Sequence, residues 1–131
     1  MSSITIAKPQ VQIDEAIKEL IAEQTEQCTI VHCRHYTTEP TGVRIWPTTY
    51  LVEDNGLRCK LIKAFNISIM PEWTYHFTKN DYIRFTLVFE ALSNNCRHFN
   101  LLEDIQQPFG FYSKVVSKNS SGVYLVEVFV S

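Results

Sequence analysis

The sequence predicts a mainly β fold, an antiparallel sandwich or small barrel of seven to eight strands, with one amphipathic helix near the N-terminus. Three observations predict it. From Cys28 onward, apolar residues recur with a period of two over runs of five to ten residues. Turn residues separate these runs at fairly regular spacing. No strand alternates with a long helical pattern, which disfavours a parallel α/β sheet. An aromatic share of 12% leans the same way, because aromatic and β-branched side chains pack well on a pleated surface.

The elements follow in chain order. Residues 1–10 read as a flexible arm containing Pro9. Ile13, Ala16, Ile17, Leu20 and Ile21 then form one helical face, with Asp14 and Glu15 in the first turn, so a helix is expected at 11–25. Cys28 to Tyr36 reads as a strand carrying Val31 and Cys33 on one side. Pro40 and Gly42 mark a turn, and Val43 to Glu53 reads as a strand apolar on both faces. Asp54-Asn55-Gly56 predicts a tight hairpin, because Asn and Gly tolerate positive φ. Leu57, Cys59 and Leu61 alternate with Arg58 and Lys60, and Phe65, Ile67 and Ile69 form a short strand stopped by Pro71. Ile83, Phe85, Leu87 and Phe89 give the cleanest alternation and mark the central core. Strands at 97–103 and 111–116 follow. Tyr124, Val126, Val128 and Val130 face one way in the closing strand.

With 131 residues the chain suits one domain, residues 1–131, large enough to fold without a disulfide or metal. Twelve basic residues sit among fourteen acidic ones, with no basic block, so the footprint of a nucleic-acid binder is missing. No run of about 18 apolar residues exists to span a membrane. The first residues lack the charged and apolar regions of a secretory signal, so the expected location is the cytoplasm. Four cysteines there are expected to be thiols.

The segments Trp46-Pro47-Thr48-Thr49-Tyr50-Leu51-Val52, Pro71-Glu72-Trp73-Thr74, Phe85 to Leu92 and Phe99 to Glu103 carry a resemblance. Over about 45–103 the chain resembles a set of small uncharacterised bacterial proteins with an immunoglobulin-like β-sandwich. The resemblance implies an immunoglobulin-like sandwich, which the strand pattern extends over 28–131, and nothing about activity, since its elements are core strands.

Chemistry has few footholds. Cys33-Arg34-His35-Tyr36 and Cys96-Arg97-His98-Phe99 share the order Cys-Arg-His-aromatic. Residues i and i+2 of a strand share a face, so two such strands side by side would hold Cys33, His35, Cys96 and His98 as a zinc site. The competing expectation is buried thiols and ordinary strand histidines. His32 and Cys33 point to opposite faces, which disfavours a cysteine nucleophile. The carboxylate pairs Glu53-Asp54 and Glu103-Asp104 read as solvated turn residues. No Gly-rich phosphate loop and no Gly-x-Ser-x-Gly elbow exists. The aromatic residues Trp46, Tyr50, Trp73 and Tyr75 gather around Pro47 and Pro71 and offer a surface for a ligand or partner.

The function expected is therefore a non-catalytic cytoplasmic interaction or assembly module without a cofactor. It would bind protein, with Ile13, Ile17, Leu20 and Ile21 as a face for self-association into a two-fold dimer. Small-molecule or carbohydrate binding around Trp46 and Trp73 is the first alternative, and a zinc protein the second.

Overall fold

A computed structural model of the protein describes residues 28–131. The expected helix at 11–25 and its apolar face of Ile13, Ile17, Leu20 and Ile21 lie outside the described residues. The described chain is all β: β1 Cys28–Thr37, β2 Thr41–Ile45, β3 Thr49–Glu53, β4 Arg58–Phe65, β5 Ser68–Ile69, β6 Thr74–His76, β7 Asp81–Glu90, β8 His98–Glu103, β9 Phe111–Ser113, β10 Val116–Ser117 and β11 Val123–Val130.

Hydrogen bonding runs β8-β3-β4-β7-β1-β11-β9, and β9 pairs back onto β8. Seven strands thus close into a barrel, and β10 is an extra strand on β8. This corrects the antiparallel immunoglobulin-like sandwich expected from sequence. One sheet curls on itself instead of two sheets packing face to face. The ladder is also not wholly antiparallel, because β1 and β11 run parallel, with Cys33 opposite Val126. Inward and outward residues alternate along a barrel strand as they do in a sandwich, so the alternation survives the correction.

The interior is packed. Val31, Leu51, Ile83, Phe85, Leu87, Phe89, Leu101 and Val128 are each at most 2% exposed. β7 lies between β4 and β1 and supplies four of these side chains, as its alternation requires. The space is filled with side chains, as expected of a small barrel.

Several strand boundaries differ from expectation. Phe65 ends β4 while Ile69 lies in β5, with Asn66 at φ 64° between them, and β6 is an unexpected strand. The stretch from Val43 to Glu53 is two strands, β2 and β3. Pro47 has no N–H to give to a ladder, and the chain turns there, with the Thr49 amide and hydroxyl both donating to the Trp46 carbonyl at 3.1 and 2.7 Å. β2 therefore leaves the barrel and pairs with β5 and β6 in a separate three-stranded sheet. The segment from Phe111 to Val116 is likewise broken, into β9 and β10. The hairpin at Asp54-Asn55-Gly56 is present between β3 and β4. Gly56 has φ +88°, and the Asn55 side chain accepts the Leu57 amide at 2.9 Å.

Closure of the ring is narrow. β8 and β9 share one paired position, Leu102 opposite Tyr112. Side chains extend the seam. The Ser113 hydroxyl accepts the Leu101 amide at 2.8 Å, and the Glu103 carboxylate accepts the Phe111 amide at 2.9 Å. Gly110 stands beside them, where a Cβ would come within 2.9 Å of the Glu103 carbonyl oxygen. The backbones approach so closely that the seam needs glycine there.

Candidate functional site

A cleft of about 380 Å³ opens between the small sheet and the loop that joins β8 to β9. β2 contributes Val43 and Arg44, and Trp46 follows at its end. Trp73 reaches in from just before β6. The end of β1 brings His35 and Thr37, and β8 brings Glu103. Ile105, Pro108, Phe109 and Phe111 form the opposite, apolar wall.

Arg44 is the centre of the cationic side. Its guanidinium carbon lies 4.1 Å from the centroid of the Trp73 ring and 5.6 Å from that of Trp46. Nη1 donates to the Pro71 carbonyl at 3.1 Å. Nε is buried and has no hydrogen-bond partner among the described residues. A buried N–H without an acceptor is costly, and such groups in native structures call for an explanation.

Glu103 is 5% exposed. Its carboxylate accepts the Trp46 amide at 2.8 Å and the Phe111 amide at 2.9 Å. Burial pushes its pKa up, while the two amides and the charge of Arg44 oppose the rise. The carboxylate thus ties the end of β2 to the start of β9 and sets the floor of the cleft.

His35 stands at the side wall. Its Nδ1 lies 3.0 Å from the Val128 carbonyl. A carbonyl can only accept, so Nδ1 carries a proton and donates it. The ring meets Phe111 edge-on at 5.3 Å. Phe109, 70% exposed, forms the outer lip and holds φ 72°, a left-handed conformation rare for a bulky residue. Its amide donates to the Ser131 carbonyl, and the Ser131 amide donates to the Gly110 carbonyl, which pins the lip to the end of the chain.

The residues singled out from sequence divide. Trp46 and Trp73 come together in the cleft. Tyr75 lies beside it on β6, its ring covering Gly42, where a Cβ would stand 3.0 Å from the ring. Tyr50 lies elsewhere, under the Arg58 guanidinium at 5.0 Å. The two Cys-Arg-His segments are not side by side, because β1 is flanked by β7 and β11, and β8 lies across the ring. Cys33 points into the barrel, while His98 stands on the surface 3.6 Å from Asp54. Among the described residues, no group of three or more His, Cys, Asp or Glu is gathered as a metal would need.

The expectation that Glu53 and Glu103 are solvated is overturned. Glu53 is 4% exposed and sits at the opposite end of the β3–β8 ladder from Glu103. It accepts the Ser93 hydroxyl and amide, the Asn55 side chain and the Cys59 thiol. Desolvation pushes its pKa up, but these four bonds together outweigh it and the net shift is downward. Sequence reasoning passed over Arg44, His35 as a cleft residue, and Glu103. A signal for Glu103 existed, because it continues the inward phase of Phe99 and Leu101.

The thiols of Cys33, Cys59 and Cys96 face inward without activation. Burial pushes the Cys33 thiol up to about 12. Burial first, and then the hydrogen bond and charge of Glu53, push Cys59 to about 12. We expect both to resist a disulfide reagent at pH 8 in the folded protein and to react in denaturant. In a thiol titration, Cys33→Ala and Cys59→Ala should each lower the denatured count by one and leave the fast native count unchanged. Fast native reaction at either position would contradict the burial.

Comparison with known proteins found no matching family model, no matching curated protein and no matching solved structure. Among the described residues, no helix is long and apolar enough to cross a membrane.

Proposed function

We propose that the protein is a non-catalytic binding domain whose cleft takes a small molecule with an apolar body and an oxygen-bearing acceptor group. The acceptor group meets Arg44, and the body lies between the indoles and the wall of Ile105, Phe109 and Phe111. One observation carries this reading: Trp46 and Trp73 converge on a guanidinium whose Nε has no partner among the described residues, inside a concave site. A few fixed polar groups in a largely apolar cleft are the usual composition of a ligand site. The positive charge between the indoles suits an acid better than a neutral sugar. The four unpaired cysteines fit a reducing compartment and keep the cytoplasm as the expected setting.

The chain's two tryptophans both line this cleft, so intrinsic fluorescence reports on it. Titration with benzoate, phenylacetate and hexanoate, each beside its amide, should perturb the emission saturably for the acids. Arg44→Gln should weaken acid binding by about tenfold or more, since a charge-assisted hydrogen bond is lost. A panel in which neither acid nor amide changes the emission would remove the proposal.

A protein-interaction role has its own support. β6 is the edge of the three-stranded sheet, and the residues on and after it include Tyr75 and Phe77, 70% and 87% exposed. An open edge strand with aromatic neighbours can pair with an extended segment of a partner. Light scattering with and without Phe77→Lys distinguishes this from the cleft reading, because the cleft residues are untouched.

A further inference from the structure

The outer wall of the barrel carries a second group of side chains that the cleft does not use. On β1 and β7, Arg34 and Arg84 stand directly opposite each other in the antiparallel ladder. Like charges in this position are destabilising, since their side chains share one face at short range. The same wall forms a shallow depression of about 660 Å³ that both arginines line.

The neighbours hold the two guanidiniums in place. Arg34 lies over the Tyr82 ring at 4.4 Å and Arg84 reaches the same ring at 5.6 Å. Arg34 Nη2 donates to Glu127 at 3.3 Å, and this single contact is its one ion pair among the described residues. No carboxylate of the described residues lies within ion-pair distance of Arg84. The depression therefore carries two cations against one carboxylate. Its next row adds hydrogen-bonding groups, with His32 Nδ1 at 2.8 Å from the Thr86 hydroxyl. Asn66 lines the depression with φ 64°, a left-handed conformation that Asn adopts more readily than most residues. Leu125, 85% exposed, adds an apolar rim beside these polar groups.

We propose that this depression binds a phosphate group, carried by a small organic phosphate whose apolar part rests on Leu125. Guanidiniums carry planar N–H donors suited to phosphate oxygens, and Arg34 and Arg84 bring two of them to one ring, that of Tyr82. The bound dianion would cancel the repulsion between Arg34 and Arg84. The Asn66 side-chain amide gives a further donor at the rim. Glu127 opposes the anion and limits affinity. The site is separate from the cleft and stands or falls without it.

Pyrophosphate is the probe, titrated calorimetrically into the whole chain, with sodium chloride at matched ionic strength as the control. Saturable one-to-one binding is expected with pyrophosphate and not with chloride. Arg84→Gln should weaken it by about tenfold or more, and Glu127→Gln should tighten it. Without ligand at low salt, Arg84→Gln should melt no lower than the parent, because it relieves a like-charge contact. That melting point also shows that lost binding is not lost folding. A chloride response equal to that of pyrophosphate would overturn the proposal, and so would unchanged binding in Arg84→Gln.

Discussion

Phe89→Ala is expected to lower the unfolding free energy by about 3–5 kcal/mol, the range for removing a fully buried aromatic ring. Phe89 is 0% exposed on β7, opposite Thr29 of β1 and Leu61 of β4. A closed ring of strands holds its wall at fixed distance, so neighbours can collapse only partly into the void. A domain stable by about 5–15 kcal/mol would lose a large share of its margin. The denaturant midpoint should fall with little change in slope, and Phe89→Leu should cost less because it keeps most of the volume. Hydrogen exchange gives a second readout, with the amides from Ile83 to Phe89 among the slowest in the parent. A midpoint unchanged by Phe89→Ala would mean that the ring does not pack in the barrel.

β7 shows why the strands were legible in sequence. Ile83, Phe85, Leu87 and Phe89 alternate with Arg84 and Thr86, and a strand with one face inside and one outside produces that pattern whatever the sheet's curvature. The alternation therefore located strands and core, and it could not choose between a sandwich and a barrel. What decides between them is whether β9 returns to β8. That contact rests on Leu102 opposite Tyr112, two side-chain bonds and a glycine at the point of closest approach. None of these has a local periodic signature. The parallel pairing of β1 with β11 joins the two ends of the described chain and is equally invisible to short-range patterns.

The cleft was half legible for a related reason. Trp46 and Trp73 are close to prolines in sequence, and those prolines mark the places where the chain leaves the ladder. Arg44 occupies an alternate position between Val43 and Ile45, which marks it as facing away from the core, but its stacking between two indoles depends on the small sheet bringing β6 to β2. Glu53 and Glu103 show where habit prevailed over period. Each lies beside an aspartate at a strand end, a setting that suggests solvent. Each also follows in phase from an inward residue, Leu51 and Leu101 respectively, and burial follows the phase.

Glu103→Ala is expected to cost about 2–6 kcal/mol, because it leaves the part-buried amide of Trp46 and the buried amide of Phe111 without an acceptor at about 1–3 kcal/mol each. The loss should be accompanied by local opening, since these bonds join β2 to β9 where the ring has a single paired position. Exchange at the Phe111 and Leu101 amides should rise more than at β7. Glu103→Gln keeps one acceptor oxygen but turns an amide NH₂ toward the other N–H, so it should cost less than alanine and still destabilise. The two buried glutamates also carry opposite pH dependences. Burial raises Glu103, so its protonated form favours the folded state. Its contribution is fully present below the usual carboxylate pKa and is lost as pH rises through the raised value. Hydrogen bonds lower Glu53, so its contribution is present above the usual value and is lost as pH falls through the lowered one. Unfolding free energies from pH 3 to 7 should therefore rise more steeply with pH for Glu103→Gln than for the parent, and less steeply for Glu53→Gln. Parallel profiles for all three proteins would mean that neither carboxyl is held as its hydrogen bonds and burial require.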